Sequence, residues 1–515
     1  MTKDRSDEPP REQSGITRRA FVAGAAAGGV GGWAAATLPR WALQDDPHRP
    51  PSLYEFFVDN FWFESAGLYD EQPNAPLRGQ QRADVVILGG GFAGMSTAFH
   101  LAQRLPEKRI VLLEGAVCGY GASGRNGGFA DPGSPGLHTV YDEQGPEAAR
   151  RYYDATMLGL AQIRDFVETY GVDCELENNG SISLATEAQH LTALEATKRR
   201  YDEMGLACEL LDTSDVRRTV ASDRFVAGLR DPRHAILNPA KLARGMKRVI
   251  EGLGVEVFER SRILRLDHGP RLRVECEYGS IEAPQAVVTL NGYAPQLGLF
   301  QQRLLPLTNY VVATEPLSAA QRESIGWRGR EGLSDLRLQF MYLRLTADDR
   351  IVFGGESSPY FYGSQPASGS YEPSLERLRR SLLVTFPQLE GVRFSHGWGG
   401  TMGFTRDFMP SIGRLHDAEN VFYALAFNGE GVVMTQLAGR IVADLVTGEA
   451  SPLTRLPIVG RSMPWLGPEP FRSLGVKITE GLLQRWGGNP LGRRGRGDNG
   501  DRSSGSPNSG RSQSR

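Results

Sequence analysis

Residues 83–114 read ADVVILGGGFAGMSTAFHLAQRLPEKRIVLLE. Val85–Leu88 is a short unbroken apolar run, as a parallel strand covered on both faces requires. Gly89-x-Gly91-x-x-Gly94 follows at once. An amphipathic helix comes next, with Ala98, Leu101, Ala102 and Leu105 on one side. A second apolar strand, 110–113, ends in Glu114, 20 residues after Gly94. Each piece has a physical task in a dinucleotide site. Gly89 permits the tight turn, Gly91 lets backbone approach a pyrophosphate, and Gly94 lets helix and strand pack closely. The helix N-terminus favours a diphosphate, and Glu114 can accept from ribose hydroxyls. A lone glycine fingerprint says little; with both strands and the acid in register it predicts a Rossmann-like α/β domain.

Other segments extend that domain. LNPAKLARGMKRVIEGLGVEVFE predicts a helix capped by Asn238, with Pro239 in its first turn and Gly254 at its end. Leu242, Met246, Val249, Ile250 and Leu253 form its apolar stripe. VEVF is expected to join the parallel sheet, RILRLD and LRVECEY to pair as a hairpin, and QAVVTLNGY to form a further strand. RLQFMYLRLTADDRIVFGG reads as two antiparallel strands around Ala347-Asp348-Asp349. VFYALAF runs as a strand into a glycine turn, Gly429-Glu430-Gly431, and then a helix striped by Val433, Leu437, Ile441 and Leu445.

The N-terminus carries a different message. Arg18 and Arg19 precede a run of mostly Ala and Gly, residues 21–36, that is short for a membrane span and ends in small residues. The pair resembles the twin-arginine export signal, whose translocase carries folded proteins. The expected location is therefore extracytoplasmic or periplasmic, with the chain either released or held at the membrane by an uncleaved signal. The 58 basic and 60 acidic residues leave a formal net charge of -2, which implies no nucleic-acid partner. Cys118, Cys174, Cys208 and Cys276 show no C-x-x-C spacing, so no metal site is expected and the thiols read as mostly free and buried.

Taken in order, VVILGGGFAGMSTA, GYGASGRNGGF, LNPAKLARGM, VVTLNGYAP, TEPL and GFTRDFMPSIG resemble the FAD-dependent amine and amino-acid oxidoreductases of the D-amino-acid oxidase superfamily. GASGRNGG and NGYAP are most similar to gamma-glutamylputrescine oxidoreductases, and the resemblance covers residues 83–448. It implies FAD, with Gly89, Gly91, Phe92, Ala93, Gly94 and Glu114 at the ADP half. It implies that Gly121, Ala122, Ser123, Arg125, Asn126, Gly127 and Gly128 line the stretch from diphosphate to flavin. Ile263 would offer backbone to adenine, and Gly429, Gly431 and Val432 would face the flavin pyrimidine edge. The position of a covalently flavin-binding cysteine in some relatives corresponds to Gly400, so the FAD is expected to be non-covalent. A substrate-carboxylate lysine is replaced by Val433, and Glu430 stands where relatives usually have histidine.

The implied reaction is oxidation of the C–N bond of an amine or amino acid, with oxygen or another electron acceptor. A dehydrogenase feeding a quinone or a partner protein, and a non-catalytic flavoprotein, are the competing readings. No catalytic acid or base stands out. Arg125 could be an active-site cation or could hold the diphosphate loop. Glu430 could hold a substrate ammonium or be an exposed turn carboxylate. Tyr342 and Arg344, on one strand face with Phe340, could line a pocket or be a structural aromatic and a surface arginine. His396 reads as a hydrogen-bonded core histidine. The expected organisation is a signal and linker (1–50), a lead-in packed on the body (51–82) and an FAD-binding domain (83–135, 225–300, 396–450). A substrate domain built on an antiparallel sheet (136–224, 301–395), a C-terminal extension (451–487) and a disordered tail (488–515) complete it.

Overall fold

The computed structural model describes residues 60–337, 339–366 and 371–486. The expected export signal, the start of the lead-in and the expected tail lie outside the described residues.

The strand Val85–Leu88 sits inside a six-stranded sheet ordered Ser411–Leu415, Ala418–Leu425, Gln285–Val288, Val85–Leu88, Ile110–Leu113, Glu256–Phe258. All neighbours are parallel except the first pair. Val85–Leu88 and Ile110–Leu113 are buried at every position, which is why neither shows a polar alternation. Val85 and Ile87 face a layer of helices, while Val86 and Leu88 face a smaller sheet. That smaller sheet contains the expected hairpin, Ile263–Asp267 with Leu272–Cys276, followed by Gly279–Ala283. It also contains Gly79–Arg82, a polar strand that hydropathy alone does not announce.

The helix Pro239–Gly252 begins as its sequence predicts. The Asn238 side chain accepts from the Lys241 N–H at 3.1 Å, and Gly254 takes φ +89° just beyond its end. The helix Val432–Thr447 is less one-sided than its stripe implies. Met434, Ala438 and Val442 are buried too, because the helix is packed against both Phe92–Arg104 and Pro146–Tyr170. Gly439 and Ser96 mark the close crossing, where Ser96 Oγ donates to the Gln436 carbonyl at 3.1 Å.

The second large sheet has eight strands, ordered Phe394–Phe404, Leu305–Thr314, Ile351–Gly355, Met341–Leu345, Gly332–Asp335, Ser181–Ala185, Ala227–Asp231, Glu209–Leu211. Only Gly332–Asp335 and Ser181–Ala185 run parallel. Two of its strands, Ala227–Asp231 and Phe394–Phe404, lie wholly or mostly in the ranges 225–300 and 396–450 that were expected in the FAD-binding domain. Met341–Leu345 and Ile351–Gly355 form the hairpin expected there. The four cysteines are free, and all but Cys208 are buried.

The lead-in packs on the body. Asn60 caps the short helix Phe61–Ser65, whose three aromatic residues are buried against Tyr120, Val311 and Trp398.

Candidate active site

The glycine turn has the shape its spacing implies. Gly89 takes φ +113°, a conformation that L side chains rarely adopt. A Cβ on Gly94 would run into the Gly89 carbonyl oxygen, and would lie 2.8 Å from Thr289 Oγ1. The Phe92 N–H, first in its helix, donates to Ser123 Oγ at 2.9 Å, joining the turn to the loop 121–128. Glu114 accepts from the Gly90 N–H at 2.7 Å and from the Ala116 N–H at 2.8 Å. Burial pushes its carboxyl up to about 7, against the pull of those two N–H groups. The segment leading to Ile263 runs alongside, with the Ser261 N–H donating to the Glu114 carbonyl at 2.8 Å.

The loop 121–128 is held from one side. The Gly124 carbonyl accepts from Asn60 at 3.3 Å, the Arg125 carbonyl from Trp398 Nε1 at 2.9 Å and the Asn126 carbonyl from Trp62 Nε1 at 2.8 Å. Three consecutive carbonyls thus point toward the aromatic cluster. Arg125 is buried and braces the same loop: Nε donates to the Tyr120 carbonyl at 2.7 Å and Nη1 to the Gly399 carbonyl at 2.8 Å. Its guanidinium lies over the Tyr120 ring, 4.3 Å from the centroid.

Tyr342 lies over Gly127, where a Cβ would meet its ring, and its hydroxyl donates to Asn309 Oδ1 at 2.8 Å. Arg344 is not a surface arginine. It is fully buried, stacked 5.3 Å from the Trp62 ring, with Nη1 donating to the Leu237 carbonyl at 2.5 Å. Burial lowers its pKa to about 10. Trp62, brought in from the lead-in, covers the strand face that local alternation leaves open. Phe340 lies outside the strand and is exposed. His396 is a bonded histidine, between Ser395 Oγ and the Glu64 carboxylate, each at 2.8 Å.

At the other end, Gly429 takes φ +88° beside Phe404 and Met402, and Gly431 caps the helix that starts at Val432. Glu430 is exposed to solvent at the turn, with many protein atoms around its carboxyl. Burial raises its carboxyl above the usual range, and a hydrogen bond from Ser134 works against that rise. Asp131 and His234, its charged neighbours, had no signal in the sequence. His234 pairs with Asp131 at 2.9 Å and lies 3.4 Å from Asp231. Burial disfavours its charge, but the two carboxylates outweigh that and push it up to about 10. They meet because Phe129–Ala130 pairs with Ala235–Ile236, each placing its next or preceding residue here.

A parallel sheet with a nucleotide-type glycine turn, joined by a braced glycine loop to a large antiparallel sheet, defines a two-part flavin-nucleotide enzyme. The family model described as DAO, FAD dependent oxidoreductase, matches residues 84–445, and the chain belongs to that family. Gamma-glutamylputrescine oxidoreductase of Escherichia coli (strain K12) is 33% identical over 401 residues, 76% of this chain and 90% of that protein. A protein named probable oxidoreductase OrdL, from Haemophilus influenzae, is 29% identical over 404 residues, 77% of this chain and 90% of its own. In fold, the chain resembles glycine oxidase from Geobacillus kaustophilus, with TM-score 0.64, 19% identity, and coverage of 74% of this chain and 100% of that one. The protein is therefore an FAD-dependent oxidoreductase acting on amines or amino acids. The residues fit FAD: a turn too tight for side chains at Gly89 and Gly94, an acid fixed by two N–H groups, and a helix end beside them.

Proposed function

We propose that this enzyme oxidises the C–N bond of an amine that carries a second positive charge, such as a polyamine or a gamma-glutamyl amine. The observation behind this reading is the acidic wall at the Gly429–Gly431 turn. Glu430 has Asp131 and His234 as charged neighbours; His234 in turn pairs with Asp131 and lies 3.4 Å from Asp231, which Arg233 engages at 2.6 Å. FAD supplies the hydride acceptor. Gly89, Gly91, Phe92, Ala93, Gly94 and Glu114 would hold its ADP half, with Ile263 beside the adenine. Residues 121–128 would carry the diphosphate-to-flavin stretch. Gly429, Gly431 and Val432 would meet the pyrimidine edge, where the positive end of a 16-residue helix favours negative charge. With Gly400 at the position of the covalent cysteine, the cofactor is held without a bond to protein.

In this reading Glu430 holds the distal ammonium while the reacting amine is neutral. The carbon beside that nitrogen gives up a hydride, the nitrogen loses a proton, and water hydrolyses the imine that leaves. Glu430→Gln is expected to lower kcat/KM for the best dicationic amine roughly 5- to 150-fold, the loss of about 1–3 kcal/mol from one charged hydrogen bond. Flavin content should stay constant. The raised pKa of Glu430 adds a sign: binding weakens as pH falls through that value, at a higher pH than an ordinary carboxylate would set. A change within twofold, or a best substrate with one positive charge, would reject the role. Peroxide release during turnover distinguishes oxygen as acceptor from a quinone or protein.

We also propose export by the twin-arginine route. The turn at Gly89 and the turn at Gly429 come together only after most of the chain has folded, so FAD loading precedes crossing. Arg18→Lys with Arg19→Lys keeps the charge but removes the guanidinium fork. The double variant should stay inside the cell with its flavin bound. Normal export of that variant would eliminate this route.

A further inference from the structure

The helix Phe471–Trp486 is attached by its polar side. Arg472 and Ser473 are buried, 8% and 2% exposed. Arg472 donates to the Gln301 carbonyl and to Ser364 Oγ, the latter at 2.9 Å, and lies over the Tyr360 ring. Glu469, just ahead of the helix, accepts from the Ser473 N–H at 3.1 Å and from the Tyr360 hydroxyl. The apolar residues face away from the body: Phe471 is 72% exposed, Leu474 58% and Ile478 54%. Their spacing of three and four residues places them on one stripe. Trp465, 57% exposed, precedes the helix. A soluble domain normally turns such a stripe inward; here the inward side is already occupied by ion pairs and hydrogen bonds.

We propose that this stripe lies on an anionic lipid surface. Charge selects that occupant. Residues 485–515 contain seven arginines and two aspartates, in a chain whose formal net charge is -2. An apolar helix face followed by a basic segment supplies the two attractions, apolar insertion and headgroup electrostatics, that hold an interfacial helix. A second copy is the poorer fit, since a few side chains on one helix fall short of the roughly 800 Å² per partner of a stable interface. Among the described residues no helix is long and apolar enough to cross a membrane, so this one lies along the surface. The attachment at Gln301 links it to the chain that follows the Asn291–Leu297 turn.

The test is co-sedimentation of the FAD-loaded full chain with vesicles of phosphatidylcholine containing phosphatidylglycerol, and with phosphatidylcholine alone. The wild type should bind the anionic vesicles and be released by salt. The triple variant Phe471→Glu, Leu474→Glu, Ile478→Glu should bind about tenfold more weakly or worse, with unchanged flavin content and turnover, because all three side chains are exposed. Equal binding by the triple variant would overturn the proposal and assign attachment to another segment, including the N-terminal apolar run. No wild-type binding, or equal affinity for both vesicle types, would overturn it too. So would self-association without vesicle binding that the triple variant abolishes; that result would assign the stripe to a second copy.

Discussion

Gly94→Ala should produce a chain that has lost its FAD. The added methyl points at the Gly89 carbonyl oxygen and at Thr289, whose hydroxyl is itself bonded to the Leu88 carbonyl at 2.9 Å. One obstacle is backbone and the other a buried hydroxyl bonded to backbone carbonyls, so neither swings aside freely. The helix Phe92–Arg104 must back away from the strand Val85–Leu88, and its N-terminal N–H groups move with it. Overpacking of this kind costs about 1–3 kcal/mol. If most of that falls on the cofactor, affinity drops roughly tenfold to more than a hundredfold. Flavin absorbance per chain measures it, and acid precipitation of the wild type should leave its flavin in the supernatant. Gly252→Ala is the control, since a Cβ there meets nothing within 4 Å. Stoichiometric flavin in the Gly94 variant, with an unshifted thermal midpoint, would contradict this account of the turn.

The second large effect concerns stability. Asp335, Arg337 and Glu356 form a buried group in the eight-stranded sheet, each 5% exposed or less. Arg337 pairs with Asp335 through Nε and with Glu356 through Nη2, the latter at 2.7 Å. Ser381 Oγ also donates to Glu356, and the Met341 N–H to Asp335. Burial already raises the Asp335 carboxyl, and Arg337 is the main force against it. Arg337→Met leaves two buried carboxylates with only Arg224 near Asp335, 4.0 Å away. Breaking such a pair from one side costs about 3–5 kcal/mol. Asp335 then holds its proton more tightly in the folded state, so the deficit should shrink as pH falls through its raised pKa. Urea unfolding of wild type and variant across pH tests both points. A difference below about 1 kcal/mol at neutral pH would show that the group does not act as a unit.

What could be read from residue order was what depends on near neighbours. The turn at Gly89–Gly94, the acid at Glu114 and the cap at Asn238 each involve groups within one strand–helix unit, so spacing carries them. Arg344 could not be placed that way. Its strand alternation was visible, but the Trp62 ring that covers it comes from far upstream. The helix Val432–Thr447 showed a stripe, yet its other sides are also covered, by two helices distant in sequence. Glu430 was singled out from its turn, whereas its charged neighbours Asp131 and His234 are brought together by a two-strand pairing that leaves no periodic trace. Arg337 and Glu356 likewise sit in unremarkable strand and loop sequence, and only the sheet brings them together.

The aromatic helix Phe61–Ser65 sets a lower limit on how far the front of this protein can be trimmed. Asn60 and Trp62 grip two carbonyls of the loop 121–128, so that loop is shaped partly by residues far ahead of it in the chain. A protease that removes anything before Asn60 leaves the clasp whole. One that cuts beyond Ser65 releases the loop from one side and uncovers Arg344. Cofactor retention is thereby tied to a single short stretch ahead of the nucleotide-binding turn.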